Sequence, residues 1–301
     1  MSRVDVAVVG SLNRDVVVRV PRHPRPGETV LGHGHFENPG GKGANQAVAA
    51  ARLGASVAMV GRVGPDDAGR RLRAALTGAG VDDHAVRTVD TPTGVALITV
   101  ADDGENTIVV SPGANAEVSA ADVGAHAGLL EAAAVCLLQF EIPAAAVAAA
   151  ARHAGGVVVV NPAPARPLDD ALLAATTVLV PNRGELASLV GGPPARDLDA
   201  VAAQARDLAR RGVAVVVTLG PDGAVVVDGA RVTAVAAPAV EPVDTTAAGD
   251  AFCGALAGAL AGGADVVDAT RWAVPAGTCA TRSHGAQRSL PTRAQVQALM
   301  A

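Results

Sequence analysis

The sequence predicts an α/β fold, with a central, mostly parallel sheet, helices on both faces and a small β-sheet lid. Three observations predict it. Short apolar runs bounded by turn residues recur at 4–9, 134–138, 157–160, 178–180 and 213–218. Helical stretches separate the last four, and such alternation builds right-handed βαβ units. Two groups of amphipathic strands, at about 12–36 and 91–111, interrupt the alternation and are expected to pair separately. The 301 residues are read as one domain (1–301) whose lid is built from those two insertions.

The elements follow in order. Residues 4–9 are a buried strand closed by Gly10-Ser11. Residues 16–20 and 28–36 read as strands around a link rich in Pro and Gly (Pro21, Pro24, Pro26, Gly27). Gly40-Gly41-Lys42-Gly43 opens a helix over 44–53, which Gly54 ends. A strand at 57–60 and a helix at 66–77 come next. Residues 95–100 and 107–110 form a hairpin around Asp102-Asp103-Gly104-Glu105.

Composition excludes several classes. Half of the residues are hydrophobic and 18% are charged, which rules out wholesale disorder. Aromatics are 1%, so the core must be Ala, Val and Leu, and a base-stacking nucleic-acid platform is unexpected. A net charge of -5 argues against a broad basic face for a phosphate backbone. Cys136, Cys253 and Cys279 are far apart without a CxxC pair, so a reduced, cytoplasmic chain fits better than a disulfide framework or a structural zinc. The start, Met1 to Asp5, lacks signal-peptide form. No apolar run nears the roughly 18 residues of a membrane span. Neither nucleic acid nor membrane is an expected partner.

The strongest chemical signal is Asp244-Thr245-Thr246-Ala247-Ala248-Gly249-Asp250-Ala251-Phe252, ahead of a small-residue helix. Small residues let backbone amides approach a ligand, and at a helix N-terminus those amides stabilise an anion. An Asp there would repel a phosphate unless it takes a proton from an incoming hydroxyl, which is the logic of phosphoryl transfer. Read alone, Asp250 also fits an ordinary helix-start acid. The second signal is Gly40-Gly41-Lys42-Gly43-Ala44-Asn45-Gln46-Ala47. A Gly-rich helix entry can cradle phosphate or sugar, with Lys42 and Asn45 in reach of hydroxyls, and it also fits a plain helix start. It is neither a Walker A loop nor GxGxxG.

These two motifs belong to a longer series. Gly10-Ser11-Leu12-Asn13-Arg14-Asp15, Pro26-Gly27-Glu28-Thr29, GGKGANQAVAAARLGA from Gly40, TGVALI from Thr93, GAN from Gly113, NPAPAR from Asn161, PNRGE from Pro181, TLGPDG from Thr218 and DTTAAGDAF from Asp244 run in one order over about residues 4–293. Together they resemble the ribokinase branch of the PfkB-type sugar kinases, and GGKGANQA with NPAPA is specific to that branch. The resemblance implies a ribokinase-like three-layer sandwich. It implies ATP-dependent phosphorylation of D-ribose at O5, giving ribose 5-phosphate and ADP by direct in-line transfer. The alternatives are a kinase for another sugar or nucleoside, such as deoxyribose or adenosine, or a catalytically silent sugar-binding protein.

The resemblance also implies roles by position. Asp250 would be the general base, and the amides of Ala247, Ala248 and Gly249 the anion hole for the γ-phosphoryl group. Asn13, Asp15, Gly41, Lys42, Asn45 and Glu141 would hold ribose. Asn182 and Glu185 match an NxxE element that supports the phosphates of Mg-ATP through water, while Thr218, Gly220, Gly223 and Gly249 would lie along the nucleotide. Mg2+ keeps several waters and the phosphates, so no all-protein magnesium cage is expected. Asp244, Thr246, carbonyls of Ala280, Ser283 and Gly285, and Ser289 match the family's activating potassium site. A lid with an exposed strand edge, together with the family's habit, implies a homodimer through the lid.

Three positions depart from the family pattern. Ala273-Val274-Pro275 replaces the Asn or His usual beside adenine, and a proline there predicts a helix that starts late or kinks. His284 stands where a basic residue is frequent, and Arg183 where an acid is common. Other features read as structural. His33 and His35 are exposed lid residues sharing one strand face, and Cys253 is a small core residue. Gly254, Gly258 and Gly262 mark close helix packing, and 196–211 is a solvated helix face.

Overall fold

The computed structural model describes residues 4–301; residues 1–3, part of the start read for a signal sequence, lie outside them. The first half contains β1 (Val6–Val9), β2 (Asn13–Val20), β3 (Gly34–Gly40), α1 (Lys42–Arg52), β4 (Val57–Val63), α2 (Asp67–Gly78), β5 (Val81–Asp82), β6 (Val86–Thr88), β7 (Gly94–Ala101), β8 (Asn106–Ser111), α3 (Ala120–Ala125), α4 (Ala127–Ala132) and β9 (Val135–Leu138). There follow α5 (Ala144–His153), β10 (Val157–Val160), α6 (Asp170–Ala175), β11 (Val178–Leu179), α7 (Arg183–Val190), α8 (Leu198–Ala209), β12 (Ala214–Thr218), β13 (Ala224–Asp228) and β14 (Arg231–Val235). The chain ends with α9 (Ala248–Ala261), α10 (Val266–Ala280), α11 (Ala286–Ser289) and α12 (Arg293–Met300).

The large sheet has the order β14-β13-β12-β11-β10-β9-β1-β4-β5, with β6 on β4, and it is parallel from β12 to β5. Successive side chains of a strand point to opposite faces, and the core divides accordingly. Val6, Val8, Val135 and Leu137 pack with α1, α9 and α10 on one face. Ala7, Val9, Cys136 and Leu138 pack with α5 and its neighbours on the other. The core is indeed Ala, Val and Leu, with Phe140 and Phe252 as its large aromatics. Where α9 crosses α1, a Cβ added to Gly254 would lie 2.6 Å from Ala49 Cβ and 2.7 Å from the Gln46 carbonyl oxygen. That glycine therefore sets how closely the two helices approach.

The second sheet has the order β3-β2-β7-β8; β2 pairs with β7 in parallel and the other two pairs are antiparallel. Its inner face carries Asp15, Val17, Phe36, Asn38 and Ile98. Among the described residues no helix is long and apolar enough to cross a membrane.

Two expectations need correction, and one hairpin was not anticipated. Residues 28–33 are a loop and not the start of a strand: the Arg22 guanidinium grips the Glu28 carboxylate, and the Arg25 amide donates to the same carboxylate at 3.0 Å. β13 and β14, a hairpin closed by the turn Gly229-Ala230, extend the sheet antiparallel beyond β12, and the apolar-run pattern did not include them. The helix containing Pro275 neither starts late nor breaks. It begins at Val266 behind an Asp265 cap and runs through to Ala280. The carbonyl that loses its partner belongs to exposed Arg271. Burial of α10 against α9 holds the rest, and a Cβ on Gly277 would lie 3.1 Å from the Ala248 carbonyl oxygen.

Candidate active site

The parallel strands deliver their carboxyl ends to one edge of the sheet. The strand order reverses between β1 and β9, and ligands of open α/β sheets bind at such a crevice. There Ser11 Oγ donates to Glu141 Oε2 at 2.5 Å, and Asn13 Nδ2 and the Lys42 amide point at the same oxygen, at 3.4 and 3.1 Å. Asn115 clamps this corner: its Nδ2 donates to Asn13 Oδ1 at 2.7 Å and to the Leu12 carbonyl at 3.0 Å, and its Oδ1 accepts from the Leu12 amide. Gly41 has φ 88, and a Cβ there would lie 2.6 Å from the Asn13 amide nitrogen. Only glycine lets the loop before α1 lie that close to β2.

Asp250 is 7% exposed. Asn45 Nδ2 donates to its Oδ2 at 2.9 Å and Gln46 Nε2 to its Oδ1 at 3.0 Å. Burial raises its pKa. The Lys42 ammonium and the Asn45 and Gln46 bonds oppose that rise, and Glu141 adds to it. The Lys42 charge is itself disfavoured by burial, yet Asp250, Glu141 and Glu185 together raise its pKa. Asp15 completes the cluster. Burial first, then Glu141 and Asp250, push its pKa up to about 7.

Ala247, the residue before α9, has φ 61. It is the sole non-glycine with positive φ among the described residues, a conformation costing about 1–3 kcal/mol. Two cavities meet at this turn. One, of about 540 Å³, is lined by Thr218, Gly220, Gly223, Ala248 and Gly249, together with Val274 and Thr278 of α10. The other, of about 410 Å³, lies between the inner face of the small sheet and the Asp244–Thr246 loop, with Asp15 on its wall. Thr245 and Pro242 line both. The Pro275 helix thus presents Val274 to the first cavity rather than withdrawing from it.

The remaining sequence-derived positions fall as follows. Asn182 and Glu185 form a capping box at the start of α7, each side chain bonded to the other's amide at 2.8 Å. The Glu185 pKa is raised by burial, with Lys42 and Asp250 both felt there. Arg183 pairs with Asp222 at 2.7 Å, tying α7 to the Gly220 turn. Asp244 accepts from the Gly285 and Thr246 amides at 2.9 Å each; burial opposes its charge, but these bonds hold its carboxyl below the usual range. The carbonyls of Ala280 and Ser283 meet no hydrogen-bond donor among the described residues. Ser283 is exposed, and the Ser289 hydroxyl is committed to the Ala286 carbonyl at 2.9 Å. Cys253 is buried in the core. His33 is exposed and faces Asp102 at 3.4 Å, and no group of three His, Cys, Asp or Glu side chains among the described residues could hold a metal ion.

The reading by motif left Ser11, Gln46, Asn115, Gln139 and Asn161 without roles, although the GGKGANQA, GAN and NPAPAR runs contain three of them. Their signal was polarity inside otherwise small or apolar stretches.

A helix N-terminus aimed into one cavity, with a buried carboxylate between it and a polar cluster, defines a phosphotransferase of the α/β class. The profile of the pfkB family of carbohydrate kinases matches residues 3–293, and the chain belongs to that family. It is 38% identical to the ribokinase of Haemophilus influenzae over 296 residues, covering 97% of this chain and 96% of that protein. It is 39% identical to the ribokinase of Bacillus subtilis over 300 residues, covering 98% and 99%. The structure of Arabidopsis thaliana ribokinase complexed with ribose and ATP superposes with a TM-score of 0.89 at 33% identity, covering 100% of this chain and 99% of that one.

Proposed function

We propose that the chain is a ribokinase that transfers the γ-phosphoryl group of ATP to O5 of D-ribose. The carrying observation is the position of Asp250, with both oxygens anchored by α1, between the Asn13–Asp15–Lys42–Glu141 cluster and the cavity opened by Ala248 and Gly249. Curated relatives of nearly equal length and the superposition on a ribose and ATP complex support the same reading.

In this mechanism Asp15, Asn13, Asn45, Lys42 and Glu141 hold the sugar hydroxyls, with Gly41 letting the loop approach. Asn45 Oδ1 is buried without a partner, which leaves it free to accept from a sugar hydroxyl. Asp250 accepts the O5 proton as the new P–O bond forms, and ADP leaves. The amides following Ala247 stabilise the charge developing on the transferring group. Thr218, Gly220 and Gly223 lie along the nucleotide. Mg2+ bound with ATP supplies charge neutralisation at the phosphates. Glu185 fits a water-mediated role there, since only its Oε2 is occupied by the cap. Potassium fits the Asp244 loop: its ionised carboxylate accepts from the Thr246 and Gly285 amides, its own amide donates to the Thr281 carbonyl, and the carbonyls of Ala280 and Ser283 on either side of that turn are unspent, with Ser289 as the further family position. Equal turnover in potassium-free buffer would remove that assignment.

The small sheet would act as a lid over ribose and as the dimer contact. Its edge strand β8 is exposed throughout, with Ile108 55% and Val109 67% exposed, and Leu97 of β7 is 53% exposed. Light scattering that finds a monomer at micromolar concentration would overturn the dimer. Three buried free cysteines suit the cytoplasm. The function itself is tested by a coupled ADP-release assay comparing D-ribose, 2-deoxyribose, fructose, adenosine and no acceptor. Release above background with ribose is expected; release with another acceptor alone would refute it.

A further inference from the structure

Behind Asp250 stands a chain of side-chain amides. Asn161 Nδ2 donates to the Val180 carbonyl at 2.9 Å. Gln46 Nε2 donates to Asn161 Oδ1 at 3.1 Å and to Asp250 Oδ1 at 3.0 Å, and Gln139 Nε2 donates to Gln46 Oε1 at 2.6 Å. Gln46 and Gln139 have no accessible surface, so neither can touch a bound substrate. An amide side chain offers a donor at one end and an acceptor at the other. The Val180 carbonyl can only accept. It therefore fixes which end of Asn161 faces Gln46, and Asn161 then fixes which end of Gln46 faces Asp250. Gln139 secures the other end of Gln46, lying across Gly10, where any Cβ would overlap Gln139 Oε1.

We propose that Gln46 is a positioning residue for Asp250, its amide polarity set from Val180 through Asn161 and braced by Gln139, so that the carboxylate is held immobile and able to accept a proton. This rests on Asp250 being the base. The groups facing Asp250 are Lys42 on α1, Glu141 after β9, Asp15 on β2, Glu185 on α7 and Cys253 on its own helix. Only Lys42 among them favours the ionised carboxylate. Two donated hydrogen bonds, one per oxygen, add to Lys42 and stop the carboxylate rotating. The opposite amide polarity would present an oxygen to Asp250 and favour its protonated form, which cannot serve as a base.

The test is the kinetics of Gln46→Leu, Asn161→Leu and the double variant across pH, with ribose affinity by calorimetry and thermal melts as controls. Gln46→Leu should lower kcat by about 10- to 100-fold and leave KM for both substrates within about threefold. The acidic limb of its pH profile should move upward by about one unit. Asn161→Leu should shift the limb in the same direction, and it should add nothing further in the Gln46→Leu background. A folded, ribose-binding Gln46→Leu enzyme with kcat within twofold of the parent overturns the proposal, as do losses that simply multiply. Should Gln46→Leu fail to fold, Asn161→Leu decides: a shifted limb supports the relay, an unshifted one overturns it. Asp250→Asn is measured alongside. If that variant stays active, the base assignment fails; if it is inactive while Gln46→Leu is normal, only the relay fails.

Discussion

Asn45 and Asp250 are separated by 205 residues, yet they share a hydrogen bond of 2.9 Å that joins α1 to α9. One helix follows the glycine loop and the other begins at the Ala247 turn. The bond ties the glycine loop and the proposed base into a single unit.

Asp250→Asn leaves one oxygen for Asn45 or Gln46 to donate to, sets an NH2 group against the other donor and removes the proton acceptor. kcat should fall at least about a hundredfold while calorimetry still detects ribose. The parent enzyme should lose kcat as pH falls through the Asp250 pKa. Because burial raises that pKa, the loss should begin above the ordinary carboxylate range. Retained turnover in the variant would assign the proton to another group.

Asp15 is a liability to folding. Its pKa is pushed from 3.8 to about 7 by burial and by Glu141 and Asp250. Between those values the folded chain holds a proton that the unfolded chain has released, so stability falls as pH rises across that window. Asp15→Asn should stabilise the ligand-free protein at pH 8, by at most roughly 4 kcal/mol, with the gain gone near pH 4. Ribose KM should rise. Melts at the two pH values decide, and a variant less stable than the parent at pH 8 contradicts the argument.

The three thiols should be inert in the folded state. All are buried; burial pushes Cys136 up to about 12, and Cys253 is raised by burial and by Asp250. A thiol reagent at pH 8 should find little to modify until denaturant is added, and then titrate three groups. Rapid labelling of the native protein would contradict this.

Ala247→Val places a β-branched residue at φ 61. It should destabilise by about 1–3 kcal/mol and lower kcat by misaiming the amides that follow. An unchanged melting temperature would show that the turn carries no strain.

Much of this was legible in the sequence. Apolar runs located the parallel strands because each is buried on both faces, and the small-residue turn before Asp250 announced itself by composition. The link at 21–27 was legible from its Pro and Gly, but its continuation over 28–33 was not, because Glu28 pairs with Arg22 across the loop and an ion pair leaves no periodicity. Nor was the course of α10 through Pro275, where tertiary packing overrides a local penalty. Gln46, Gln139 and Asn161 converge only in three dimensions, and no spacing in the chain could have joined them.

The glycine at 254 has a wider meaning. It stands one helical turn beyond Asp250 and rests on Ala49 and the Gln46 backbone, so it works as a spacer of minimum thickness between two machine parts. A chain built largely from Ala, Gly and Val can hold such parts at short, well-defined gaps. Its lack of bulky side chains is then a matter of tolerance rather than of economy. Adding a single methyl group at 254 should push Asp250, the proposed base, away from α1 without altering any polar atom, a mechanical fault that leaves every chemical group in place.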